Sequence, residues 1–102
     1  MIIKVHLFPA VEKELRKLPP SLQAQAIRLI DLLSLFGHEL RYPHSRKLSD
    51  PLFELRVAGK VHLRMIYHFS KDDVVILHIF TKKSNKTPRK EIDIAKKRID
   101  KI

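Results

Sequence analysis

The sequence predicts an α+β fold: a small antiparallel or mixed sheet with helices on one face, in the order β-α-α-β-β-β-α. Three observations carry that expectation. Apolar residues recur at helical spacing through the first third of the chain, closely spaced strand patterns fill the centre, and a proline-led helical pattern follows near the end.

Ile2 to Phe8 alternates apolar and mixed residues and reads as a first strand. Pro9 suits the first position of a short helix through about Lys17, where an N–H would be unpaired in any case. Pro19-Pro20-Ser21 ends that helix and starts another. From Leu22 onward, Ala26, Leu29, Leu33 and Phe36 recur on one helical stripe, which Ile27, Ile30 and Leu32 widen, and Gly37 is the expected cap. Residues 37–50 are polar and basic, with Arg41, His44, Arg46 and Lys47, and read as a loop.

Leu52 to Ala58 is the next strand, Gly59-Lys60 its turn, and Val61 to Phe69 the strand after it. Lys71-Asp72-Asp73 leads into a third, Val74 to Lys82, and such short connections favour an antiparallel meander. Thr87 as N-cap and Pro88 at the first helical position open a last helix, with Ile92, Ala95 and Ile99 as its buried stripe.

A length of 102 residues fits one domain, and a 44% hydrophobic content suits a globular one. Twenty-one Lys and Arg against 11 acidic residues give a net charge of +10, which draws in polyanions. Nucleic acid, an acidic protein or an anionic membrane are the candidate partners. The absence of cysteine excludes a disulfide framework and a cysteine-based metal site. The apolar N-terminal run is too short for a secretory signal, and no stretch approaches the roughly 20 apolar residues of a membrane span. A cytoplasmic protein with no membrane partner is expected.

Strand parity sorts the meander into two faces. Phe53, Leu55, Val57, Leu63, Met65, Tyr67, Phe69, Val75, Leu77 and Ile79 make an apolar face for the helices to cover. The opposite face collects Glu54, Arg56, His62, Arg64, Ile66, His68, Ile76, His78, Phe80 and Lys82. A solvated surface is the plain reading of such a list. Yet cations recur on all three strands with Glu54 as the one offsetting acid, and Phe80 sits among them. A cationic groove with an aromatic ring suits a nucleic acid strand, whose phosphates pair with Arg and Lys while a base stacks. An acidic protein partner is the rival reading.

His62, His68 and His78 share the groove face, but no acidic or cysteine ligand completes a metal-site spacing. No metal or cofactor is expected. A single histidine acting as proton carrier is the better use, since its pKa suits the task.

Leu52-Phe53-Glu54-Leu55-Arg56, Arg64-Met65-Ile66-Tyr67, Leu77-His78-Ile79-Phe80-Thr81-Lys82-Lys83 and Lys86-Thr87-Pro88 with Glu91-Ile92 and Ala95 follow one another in order. Together they resemble the HigB-type, phage-derived branch of the RelE/ParE toxin superfamily. The resemblance covers roughly residues 45–98. It implies the toxin of a type II toxin–antitoxin system: a ribosome-dependent, metal-independent endoribonuclease that cuts mRNA and stops translation. Its implied partners are the ribosome with its mRNA and a cognate antitoxin bearing a helix-turn-helix domain, with operator DNA reached only through that antitoxin.

Carried over, Arg64 matches the family's phosphate-contacting arginine and Arg56 the strand arginine before it. Lys83 matches a basic position at the scissile phosphate, while strand parity favours Lys82, and His78 on the groove face is the candidate proton carrier. Arg46, Lys47, Phe80, Lys86 and Arg89 are the expected RNA-binding residues, and Tyr67 falls on the core face as a packing residue. The chain also departs from the pattern. Glu54 stands where RelE-like toxins carry lysines, Arg89 lies near the place of a late catalytic tyrosine, and the terminal Asp-Tyr-His cluster of some HigB toxins is missing. Two alternatives therefore stand beside the nuclease: a ParE-like toxin that inhibits DNA gyrase, and a non-catalytic RNA- or protein-binding relative.

Overall fold

The computed structural model describes residues 2–57, 59, 62–82 and 86–102. Its elements are β1 (Val5–Leu7), α1 (Pro9–Lys17), α2 (Pro20–Phe36), β2 (Ser45–Lys47), β3 (Phe53–Arg56), β4 (His62–Ser70), β5 (Asp73–Lys82) and α3 (Arg89–Ile99). The α+β class and the order of the expected elements hold, and the prolines at 9 and 20 start α1 and α2 as anticipated.

The strands form one sheet in the order β1-β5-β4-β3-β2. The meander from β3 to β5 is antiparallel, and β1 joins it parallel to β5, which makes the sheet mixed. The stretch expected as a loop holds more structure: a single 3-10 turn at Gly37–Glu39, then β2 antiparallel to β3. Three polar residues show no strand periodicity of their own. Their conformation comes from the ladder, where Arg46 lies opposite Glu54.

Helices cover both faces, and this corrects the expectation of a one-sided sheet. α1 and α2 pack Val11, Leu15, Ala26, Leu29 and Leu33 against Leu55, Leu63, Met65 and Tyr67. α3 packs Ala95, Ile92 and Ile99 on the other side, against Ile66, Val75 and Leu77. Strand parity fails in β5 for a local reason. Ile66 pairs with His78 but Tyr67 pairs with Ile76, so Leu77 is the extra residue of a bulge. Beyond it Val74 and Ile76 face α1 and α2, while Val75 and Leu77 turn to α3. Each apolar side chain withdrawn from water in these two layers contributes about 1.5–3 kcal/mol before entropy is charged.

The α2 stripe is narrower than the sequence suggests. Ala26, Leu29 and Leu33 are buried, but Ile27 and Phe36 are exposed because the sheet meets only one side of the helix. Gly37 closes α2 at φ 53°, and its N–H returns to the Leu33 carbonyl. A Cβ at this position would collide with the Ile3 side chain. Gly37→Ala is therefore expected to cost about 1–3 kcal/mol, since Ile3 can shift but the left-handed backbone remains strained. Urea unfolding measures it, and an unchanged midpoint would show that the turn relaxes freely.

Candidate functional site

β3 alternates Phe53 and Leu55 with Glu54 and Arg56, so the polar pair faces the α3 side of the sheet. α3 reaches over only part of that side, and the cations collect beyond it. Glu54 is 0% exposed. A carboxylate wholly out of water must be paired and hydrogen-bonded to be tolerated. Arg46 Nε donates to Oε1 at 2.8 Å. Arg56 Nη1 and Arg64 Nε approach the same oxygen at 3.7 and 3.8 Å. The Thr87 hydroxyl donates to Oε2 at 2.6 Å and accepts from Lys82 Nζ at 3.1 Å.

Four cationic side chains thus gather about one carboxylate, four minus one leaving a surplus of three positive charges. Burial deepens inward. Arg46 and Arg56 keep 35% and 13% of their side chains exposed, Arg64 only 3%. Arg64 is anchored from behind, donating through Nη1 to the Leu63 and Val57 carbonyls at 2.9 and 3.3 Å. Arg56 Nη1 and Arg64 Nε are buried without a hydrogen-bond acceptor, since contacts of 3.7 and 3.8 Å are electrostatic and not hydrogen bonds. Burial, then the Arg56 charge, pulls Arg64 below the usual arginine range against the opposing effect of Glu54.

Lys82 is buried as well. Desolvation lowers its pKa to about 8, Glu54 resists, and Arg64, Arg46 and Arg56 add to the fall. A lysine so tuned exchanges its proton near neutrality, which an ordinary surface lysine does not.

The structure therefore brings together Arg46, Arg56, Arg64 and Lys82 from the expected site residues. It separates others from them. His78, expected to face an open groove, is held under α3: Nε2 lies 2.6 Å from Glu91 Oε1, and Nδ1 lies 3.4 Å from Arg98 Nη1. Phe80 stacks on His78 with ring centroids 5.3 Å apart and packs, half-buried, against the α3 core. Ile66, placed with the groove residues, is fully buried under α3.

Lys47 is exposed on β2, bonded to Asp50 at 2.8 Å and lying over the Phe53 ring. Lys86 is exposed beside Thr87, and Arg89 is exposed in the first turn of α3, 3.7 Å from Asp93. Lys83 lies outside the described residues, as do Val61 and the turn residue Lys60. Tyr67 is buried as expected, and its hydroxyl bonds Ser45. Thr87 is the residue that sequence reasoning missed. It reads as an N-cap, but α3 starts at Arg89 with Pro88 as its N-cap and no side-chain cap bond. The hydroxyl serves Glu54 instead. The signal available in the sequence was Glu54 itself, a lone acid among strand cations that need a carboxylate.

This arrangement of sheet and helices is shared with chains of two solved toxin–antitoxin complexes. A chain of the RelBE2 toxin–antitoxin complex from Mycobacterium tuberculosis superposes with a TM-score of 0.62 and 20% identity, over 82% of this chain and 95% of that one. A chain of the archaeal RelE–RelB complex from Pyrococcus horikoshii OT3 does so with a TM-score of 0.57 and 17% identity, over 84% and 100%. The family described as phage derived protein Gp49-like (DUF891) matches residues 13–100, and the chain belongs to that family. No curated protein sequence matches it.

Two stability measurements test the cluster. Glu54→Gln leaves buried cations uncompensated and is expected to lose about 3–5 kcal/mol. A loss under about 1 kcal/mol in thermal unfolding would mean the arginines do not need the carboxylate. Lys82 gives a pH signature. Between its folded pKa of about 8 and the ordinary 10.5, the unfolded chain holds the extra proton. Stability should therefore rise with pH across that window, and below it the penalty for the buried charge is constant. Lys82→Met should remove this rise. Urea midpoints of variant and parent that run parallel from pH 7 to 9.5 would contradict the assignment.

Proposed function

We propose that this chain is the toxin of a type II toxin–antitoxin system, a HigB-type endoribonuclease that cuts mRNA on the ribosome. The observation that carries the reading is the cluster of three arginines and Lys82 around Glu54, positively charged overall and holding two unaccepted guanidinium donors. Such a cluster suits a phosphodiester whose negative charge grows as it reacts.

RNA carries its own nucleophile, so the chemistry asks for positioning, charge stabilisation and proton transfer. The 2′-oxygen forms a bond to phosphorus as the bond from phosphorus to the 5′-oxygen breaks, leaving a 2′,3′-cyclic phosphate and a 5′-hydroxyl. Arg46 and Arg56, at the open side of the cluster, take the phosphate oxygens, with Arg64 reinforcing the field from behind. Lys82 receives the 2′-hydroxyl proton, and water protonates the departing 5′-oxygen. With a pKa of about 8, roughly a tenth of Lys82 is neutral at pH 7, enough for a general base poised near its working pH. Thr87 holds the amine in place while its own proton is committed to Glu54.

Lys47, Lys86 and Arg89 extend the positive surface toward ribosomal RNA or an acidic antitoxin segment. The likeness to chains from two toxin–antitoxin complexes supports a cognate antitoxin, itself the link to operator DNA.

In a translation extract the protein is expected to produce new 5′ ends within translated codons, mapped by primer extension. Arg56→Ala should slow cutting on the order of 100-fold, as for loss of a preorganised donor. Lys82→Met should lose the rise of rate with pH through about 8. Intact messages together with gyrase-linked DNA breaks would move the protein to the ParE class.

A further inference from the structure

The ring expected to meet a base, Phe80, is half-buried against the α3 core, and a more exposed ring stands elsewhere. Tyr42 is 68% exposed and lies between α2 and β2, outside the strand pattern that drew attention to Phe80. The Arg56 guanidinium carbon sits 5.0 Å from its centroid. One face of the ring is thereby backed by a cation, and exposure this high leaves the opposite face to solvent.

Tyr42 also forms a wall of a groove of about 420 Å³ along the β2 edge. His38 and Phe53 supply further ring surface there, and Arg41, Arg46 and Lys47 supply positive charge. The lining contains no acid. His38 is fixed by stacking on Phe69 at 3.6 Å, and Phe53 by stacking on Tyr67 at 5.5 Å. The volume lies within the roughly 300–1,000 Å³ range of small-ligand sites.

We propose that this groove is a subsite for an unpaired nucleobase of single-stranded RNA, with Tyr42 as its stacking platform. The proposal rests on the ribonuclease reading and deepens it by naming a part of the substrate held away from the reacting phosphate. Continuity with the cluster supports it. Arg56 touches Tyr42 on one side and Glu54 on the other, and Arg46 belongs to both the groove wall and the Glu54 pair. A strand whose phosphate rests on Arg56 brings a neighbouring nucleotide to the ring that covers Arg56. Rings and cations together answer the chemistry of a nucleotide, because a base stacks on an aromatic face while its phosphate pairs with Arg or Lys. A carboxylate-rich peptide needs the cations but has no use for the open ring.

The experiment measures binding of short single-stranded RNA by fluorescence anisotropy, using an intact oligonucleotide and one with an abasic ribose at each position in turn. Tyr42→Ala is expected to weaken binding of the intact strand by about tenfold or more, the usual scale of one lost base–aromatic stack. Tyr42→Phe should retain most of it. One abasic position should weaken binding to the parent and leave Tyr42→Ala indifferent, and Lys4→Ala, remote on the chain, should behave as the parent does. Equal affinity of parent and Tyr42→Ala for the intact strand overturns the subsite. A poly-glutamate peptide that displaces the RNA and itself depends on Tyr42 overturns it too, since the groove would then be a peptide site. The two readings fail separately: Tyr42-dependent binding without cleavage in the translation extract sinks the nuclease alone, and cleavage indifferent to Tyr42 sinks the subsite alone.

Discussion

A carboxylate removed from water is stable only where positive charge and hydrogen bonds meet it, and Glu54 is completely removed. Much of the local structure follows from that requirement. Arg46 comes to it from the adjoining edge strand, which gives a three-residue polar segment reason to be a strand. Thr87 gives it a hydroxyl, which then cannot cap α3, and the helix begins after Pro88. Arg56 and Arg64 lie opposite one another on adjacent strands, a pairing of like charges that would repel without the carboxylate between them.

The same carboxylate leaves the cluster incompletely compensated. One anion cannot neutralise four cations, and two guanidinium nitrogens are left buried without acceptors. The excess falls on Lys82, whose ammonium is opposed by burial and by three arginines, and its pKa drops to about 8. A second carboxylate here would have stabilised the fold and raised that pKa. An incompletely compensated cluster of this kind keeps its cations electrostatically unfavourable to one another.

Packing decides where this cluster can be reached. The bulge at Leu77 turns Val75 and Leu77 toward α3, so the helix has an apolar seat on that half of the sheet. Ile66, His78 and Phe80 are drawn beneath it, and the Glu91 and Arg98 side chains pin His78 there. The other half of the same face, with Glu54, Arg56, Arg64 and Lys82, extends past α3 toward β2. One sheet face thus serves as core at one end and as a charged site at the other.

Periodicity and proline placement determined the helices and the meander from the sequence alone, because a proline at a helix start and apolar repeats act locally. The cations of the site were legible too, since strand parity puts Arg56, Arg64 and Lys82 on one face whatever packs above them. What the tertiary structure decided were matters of partnership between distant residues. The strand character of Ser45–Lys47 comes from no local pattern, only from the ladder with β3 that Arg46 and Glu54 complete. The faces of Val75, Ile76 and Leu77 turn on one bulge, which shifts parity without altering composition. Thr87 and Tyr42 carry no signal that separates a cap or a loop ring from a ligand of Glu54 or a neighbour of Arg56. The assembled fold chose between those uses, burying Thr87 beside Glu54 and setting Arg56 against the exposed Tyr42 ring.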